Sequence, residues 1–90
     1  MRAALICIDK PNHLHLRTEN RPAHLEHIQS SGIVEMAGPF LNSEGTMIGS
    51  LVILTVESMA QAQAWAEADP YAVAGLFESV TIREWKKVVG

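Results

Sequence analysis

The sequence is poor in the features that would tie a protein to an oxidising compartment, a membrane or a polyanion. There is one cysteine, Cys7, in 90 residues. It rules out an intrachain disulfide framework and, lying in an apolar run, reads as a small buried hydrophobe suited to a reducing compartment. Aromatic residues make up only 6% and do not alternate with basic ones. Seven basic residues stand against ten acidic, for a formal charge of -3, and no basic run occurs. That balance argues against nucleic acid or an anionic membrane as the main partner. The first apolar run ends at Asp9-Lys10, too early for a signal peptide or a membrane span. A soluble, cytoplasmic protein is therefore expected. The chain also lacks a Gly-rich phosphate loop, a Gly-x-Ser-x-Gly elbow and internal repeats, so no cofactor is implied.

What is present reads as one domain, residues 1–90. Residues Arg2–Asp9 read as a buried strand ended by Lys10-Pro11-Asn12. Pro11–Thr18 fits either a helical turn or a loop. Pro22 suits the first turn of a helix over Pro22–Ser31, with Asn20 as its cap and Gly32 as its stop. Ile33–Phe40 reads as a second strand, ended or bent by Gly38-Pro39. Leu41–Gly49 reads as a loop long enough to act as a flap. Ser50–Val56 is a third strand, apolar on both faces, so both sides of the sheet need a cover. Ser58-Met59-Ala60-Gln61 fits a capping box opening a helix that Asp69-Pro70 stops. Gly75–Trp85 is a fourth strand, with Leu76, Val80 and Ile82 on one face and Phe77, Ser79, Thr81 and Arg83 on the other. The order β-α-β-β-α-β is the split βαβ pattern: α+β, with a four-stranded antiparallel sheet and two helices on one face. A core of this size is marginal, and a second copy packed on the open face would relieve it and create a pocket.

The candidate chemistry centres on His24. Near a helix N-terminus its imidazole would be pushed toward the neutral form, a usable base. At about 100° per residue, Leu25 and Ile28 define the core face, His24 lies about 40° from Ile28, and His27 points about 130° away, toward solvent. Asp69, its direction fixed by Pro70, is the candidate anion to orient His24, because both helices cover the same sheet face. A plain helix-ending turn residue is the competing account of Asp69. Arg21 is either an anion-binding group or a solvated arginine. Ser50 offers a hydrogen bond or is merely a strand start. Tyr71 either lines a pocket or packs with Trp65. His13-x-His15 and His24-x-x-His27 come without a cysteine pair, so no metal site is expected.

Arg21-Pro22-Ala23-His24-Leu25, Ala37-Gly38-Pro39, Gly49-Ser50 and Ala66-Glu67-Ala68-Asp69-Pro70-Tyr71 with Ala74-Gly75-Leu76 together resemble the YCII (YciI-like) family. The likeness runs over nearly the whole chain. It implies a ferredoxin-like fold whose dimers form a dimeric α/β barrel. The family's proposed His-Asp dyad falls on His24 and Asp69. Some members are dehydrochlorinases acting on chlorinated hydroxyquinols. The expectation is a homodimeric acid/base enzyme, of elimination, lyase or isomerase type, acting on a small polar or aromatic metabolite. Its pocket would be lined by Arg21, Gly38, Pro39, Ser50 and Tyr71. The alternatives are a small-ligand-binding module without chemistry and a purely structural dimer.

Overall fold

β1 (Arg2–Asp9) lies inside the sheet, paired antiparallel with the two strands furthest from it in sequence. The structure, a computed structural model, describes residues Met1–Gly90. After β1 come α1 (Leu14–Ser31), β2 (Val34–Leu41), β3 (Met47–Thr55), α2 (Met59–Ala68), a short α3 (Pro70–Val73) and β4 (Phe77–Trp85). The sheet order is β2-β3-β1-β4 and every pairing is antiparallel. This is the expected ferredoxin-like α+β fold, with the helices on one face.

Strand alternation sorts the residues. Ala3, Leu5 and Cys7 of β1 pair with Leu54, Val52 and Ser50 of β3, and these six are buried under the helices. Ala62, Trp65 and Ala66 of α2 complete the core from above, with Ile28 of α1 packed against it. Fully burying a side chain such as Leu5 or Leu54 contributes about 1.5–3 kcal/mol. On the opposite face Ile6 pairs with Leu51, and Ala4 with Ile53. Met36, also on this face, is exposed. The face is thus apolar at its centre and carries no helix.

Several boundaries differ from expectation, each for a physical reason. Helix α1 begins at Leu14, so Pro22 sits inside it and not at its first turn. Asn20 is not a cap; its side chain donates to the Leu16 carbonyl at 2.8 Å. His24 therefore lies well inside the helix, and no N-terminal dipole acts on it. Leu25 is 47% exposed, and the buried residues of α1 are Arg17 and His24. His27 is half-buried and does not face solvent. Its ring packs 4.5 Å from that of Trp65, and its Nε2 lies 3.1 Å from the Trp65 carbonyl.

Pro39 does not end β2. That strand is an edge, paired only with β3, so a missing N–H can face outward. The expected flap is a tight turn, because Asn42 Oδ1 accepts from the Glu44 and Thr46 amides at 2.9 and 3.0 Å, and Gly45 supplies φ +80°. Ser58 caps α2 as foreseen, accepting from the Gln61 amide at 3.2 Å, while Gln61 reaches back to the Glu57 amide. Gly32 closes α1 at φ +67°. A register shift at Ile8/Asp9 turns Phe77 to the helix side, against the core. A single-residue shift reverses the facing of a strand, which is why strict alternation placed Phe77 wrongly.

Two consequences can be measured. A Cβ on Gly49 would collide with the Cys7 carbonyl oxygen, whereas one on Gly38 meets nothing within 4 Å. Gly49→Ala is expected to lower unfolding stability by about 1–3 kcal/mol in a urea titration, with Gly38→Ala close to neutral. Burial, with Asp69 nearby, pushes the Cys7 thiol up to about 12. Iodoacetamide at mildly alkaline pH should leave Cys7 unmodified in the native protein and alkylate it once urea is added.

Candidate functional site

The site is built on one face of α1. Arg17, Arg21, His24 and Ile28 follow at intervals of four, three and four residues, which aligns them on a helix. All four line a cavity of about 120 Å³ between α1 and the β2–β3 hairpin. Ala37 and Pro39 of β2, paired with Val52 and Ser50 of β3, form the wall across from the helix. Gly38 and Met47 also border it.

Asp69 holds His24 in place. The residue before Pro70 is confined to an extended backbone, here φ -59°, ψ 124°, which ends α2 and starts α3. Its Oδ1 accepts from the Tyr71 amide at 3.0 Å and lies 2.8 Å from His24 Nδ1. Both side chains are buried. One oxygen of Asp69 thus both caps a turn and receives the imidazole. A carboxylate has no proton to give, so the hydrogen on this bond belongs to Nδ1. Nε2 is then left with its lone pair in the neutral ring, an arrangement able to accept a proton.

Tyr71 lies against His24 with ring centroids 3.9 Å apart and planes 12° from parallel. It also meets Phe77 edge-on at 6.1 Å, so its packing partner is not Trp65. Arg17 stands with its guanidinium carbon 4.8 Å from the Tyr71 centroid. Asp9, at the end of β1, receives Arg17 through two bonds, Nε to Oδ2 at 2.9 Å and Nη2 to Oδ1 at 2.8 Å. Burial alone would lower the Arg17 pKa, but the hydrogen bond and charge of Asp9 outweigh it and raise it above its usual value. Burial raises the Tyr71 pKa against the opposing charges of Arg17 and Arg21, so Tyr71 stays a phenol at neutral pH.

The residues expected from the sequence come together. Arg21, His24, Gly38, Pro39, Ser50 and Tyr71 line the cavity, and Asp69 stands behind His24. Sequence reasoning missed Arg17 and Asp9. The signal was the 17-21-24-28 spacing, legible only if the helix is carried back past Pro22.

The chain matches the model of the YCII-related domain over residues 1–86. Protein YciI of Escherichia coli O6:H1 is 43% identical over 89 aligned positions, covering 89% of this chain and 91% of that protein. An uncharacterized protein of Haemophilus influenzae is 35% identical over the same shares of the two chains. Among solved structures, the 5-chloro-2-hydroxyhydroquinone dehydrochlorinase TftG from Burkholderia phenoliruptrix AC1100, in complex with 2,5-dihydroxybenzoquinone, has a TM-score of 0.88 at 29% identity. That match covers 96% of this chain and 94% of TftG. Domain model, sequence relatives and structural neighbour agree, and the chain belongs to the YCII family.

Proposed function

We propose that this protein is a cytoplasmic, homodimeric acid/base enzyme of one domain, catalysing an elimination on a small polar or aromatic metabolite. The observation that carries this reading is the buried His24 Nδ1–Asp69 Oδ1 contact of 2.8 Å on the wall of a cavity. In this role Asp69 fixes the tautomer and steadies the imidazolium that forms, while Nε2 removes the substrate proton. Arg21, Ser50 and Tyr71, with the Gly38-Pro39 backbone, hold the substrate. The TftG neighbour supports elimination in particular, because loss of HCl is what a dehydrochlorinase carries out. The steps balance without a cofactor. Nε2 takes the proton, its bonding electrons form the new π bond, and chloride leaves with the electron pair of the carbon–chlorine bond.

Dimerisation rests on the uncovered sheet face. Half-buried Ile6 and Leu51 form its apolar centre beside Ile53, which is already buried, and Met36 and Trp85 are exposed around them. Apolar patches of this kind mark contact surfaces. A free thiol at Cys7 fits a reducing compartment such as the cytoplasm.

Chloride release from 5-chloro-2-hydroxyhydroquinone, followed by a halide electrode, tests the catalytic reading first. If turnover is found, Asp69→Asn should reduce kcat by about 10²–10⁴ and His24→Ala by at least as much. Full turnover by a folded His24→Ala protein would end the assignment. For the dimer, sedimentation should give twice the chain mass. Ile6→Lys should give a folded monomer; a variant that keeps the dimer would place the contact elsewhere.

A further inference from the structure

The cavity beside His24 is a cationic spot on an acidic protein. The chain carries a formal charge of -3, yet Arg17 and Arg21 both line the cavity and no Asp or Glu does. The two nearby carboxylates are already engaged. Asp9 is held by Arg17 through two bonds, and Asp69 by His24 and the Tyr71 amide. Arg17 is thereby neutralised in place, while Arg21 takes part in no ion pair. Its charge nonetheless reaches the cavity wall, where it opposes the effect of burial on Tyr71.

Ser50 adds a second observation. It is 4% exposed, and its hydroxyl makes no hydrogen bond within the protein. No fully buried polar side-chain atom lacks a partner, so this oxygen must keep some access, and the cavity that Ser50 lines is where it opens. A donor left free in an otherwise satisfied interior is placed for a ligand. The remaining wall is mostly apolar: Ile28, Pro39 and Val52 among others. The volume of about 120 Å³ is close to the roughly 150 Å³ of an apolar cavity that admits one benzene ring.

We propose that the substrate is a small single-ring anion whose charged oxygen, a carboxylate or an ionised enol or phenol, is held by Arg21 with the Ser50 hydroxyl as second donor. This narrows the catalytic reading of the same cavity and rests on it. A neutral molecule of the same shape would lie against Arg21 without meeting its charge, and a site built around a charged group discriminates against such a ligand. The same guanidinium is placed to stabilise the negative charge that accumulates when His24 removes a proton.

Benzoate and benzamide share a ring and a planar substituent and differ in charge, so they form a matched pair of probes. Calorimetric titration of the full chain should show benzoate binding about tenfold or more tightly than benzamide. The preference should shrink as sodium chloride is added. The His24 ring resonances should move with benzoate, locating it in this cavity. Arg21→Gln should abolish the preference by lowering the benzoate affinity to about that of benzamide, and Ser50→Ala should weaken benzoate by a smaller factor. Equal affinities, a preference that survives Arg21→Gln, or binding of neither probe would overturn the proposal. Its failure is distinguishable from that of the catalytic reading. An anion preference with no turnover of any substrate removes only the catalysis, and turnover of a neutral substrate with no anion preference removes only the selectivity.

Discussion

The structure depends most on one carboxylate oxygen. Asp69 Oδ1 receives both the Tyr71 amide and the His24 ring, so the start of α3 and the orientation of the imidazole are set together. An ionised carboxylate this deeply buried is several kcal/mol unfavourable unless its charge is met by donors. Pro70 ensures that the backbone cannot relax into a continuous helix and turn the side chain away. Tyr71 follows at once, and its ring lies flat on His24. Three consecutive residues, Asp69-Pro70-Tyr71, therefore fix the histidine from one side by hydrogen bond and from another by stacking.

Helix α1 attaches to the rest of the molecule in an uncommon way. Its buried residues are an arginine and a histidine, each with its own carboxylate. Neither the buried Arg17–Asp9 ion pair nor the His24 hydrogen bond to a buried carboxylate adds much net stability over well-packed apolar groups, because desolvation offsets the attraction. Their effect is to make one position of the helix far better than its neighbours, since any shift strands a charge. Arg17 ties the early part of α1 to the end of β1, and His24 ties its later part to the α2–α3 junction. Beyond them, Trp65 Nε1 donates to Ser31 Oγ at 3.0 Å. Between these anchors the helix stands over the β2–β3 hairpin, and the cavity is the space they leave.

That mode of docking also explains what was legible in the sequence. The four strands, their order, the Gly32 stop, the Ser58 cap and the Asp69-Pro70 break could all be read, because each has a local cause in apolar runs or turn chemistry. The His24–Asp69 pairing followed from element order together with family resemblance. The first half of α1 could not be read from periodicity, since residues Leu14–Arg21 show no apolar stripe and Pro22 imitates a helix start. Arg17 was lost with it. His27 and Leu25 exchanged places for the same reason: the helix face was defined by its apolar residues, whereas the face that docks is defined by Arg17 and His24. The shift at Ile8/Asp9 that turns Phe77 inward has no signature in the residues themselves.

The alternation of β3 places two demands on one strand. Ser50 and Val52 point to the cavity, while Leu51 and Ile53 point to the uncovered face. Neighbouring residues of a strand share a backbone, so whatever packs against Leu51 and Ile53 also sets the plane from which Ser50 and Val52 project. Gly49 sharpens the constraint, since its missing Cβ lets β3 approach the Cys7 carbonyl of β1 directly above the register that delivers Ser50. A second copy seated on the open face would then do more than cover apolar surface. It would hold the β2–β3 hairpin at a fixed distance from α1, and that distance is the width of the cavity that His24 lines.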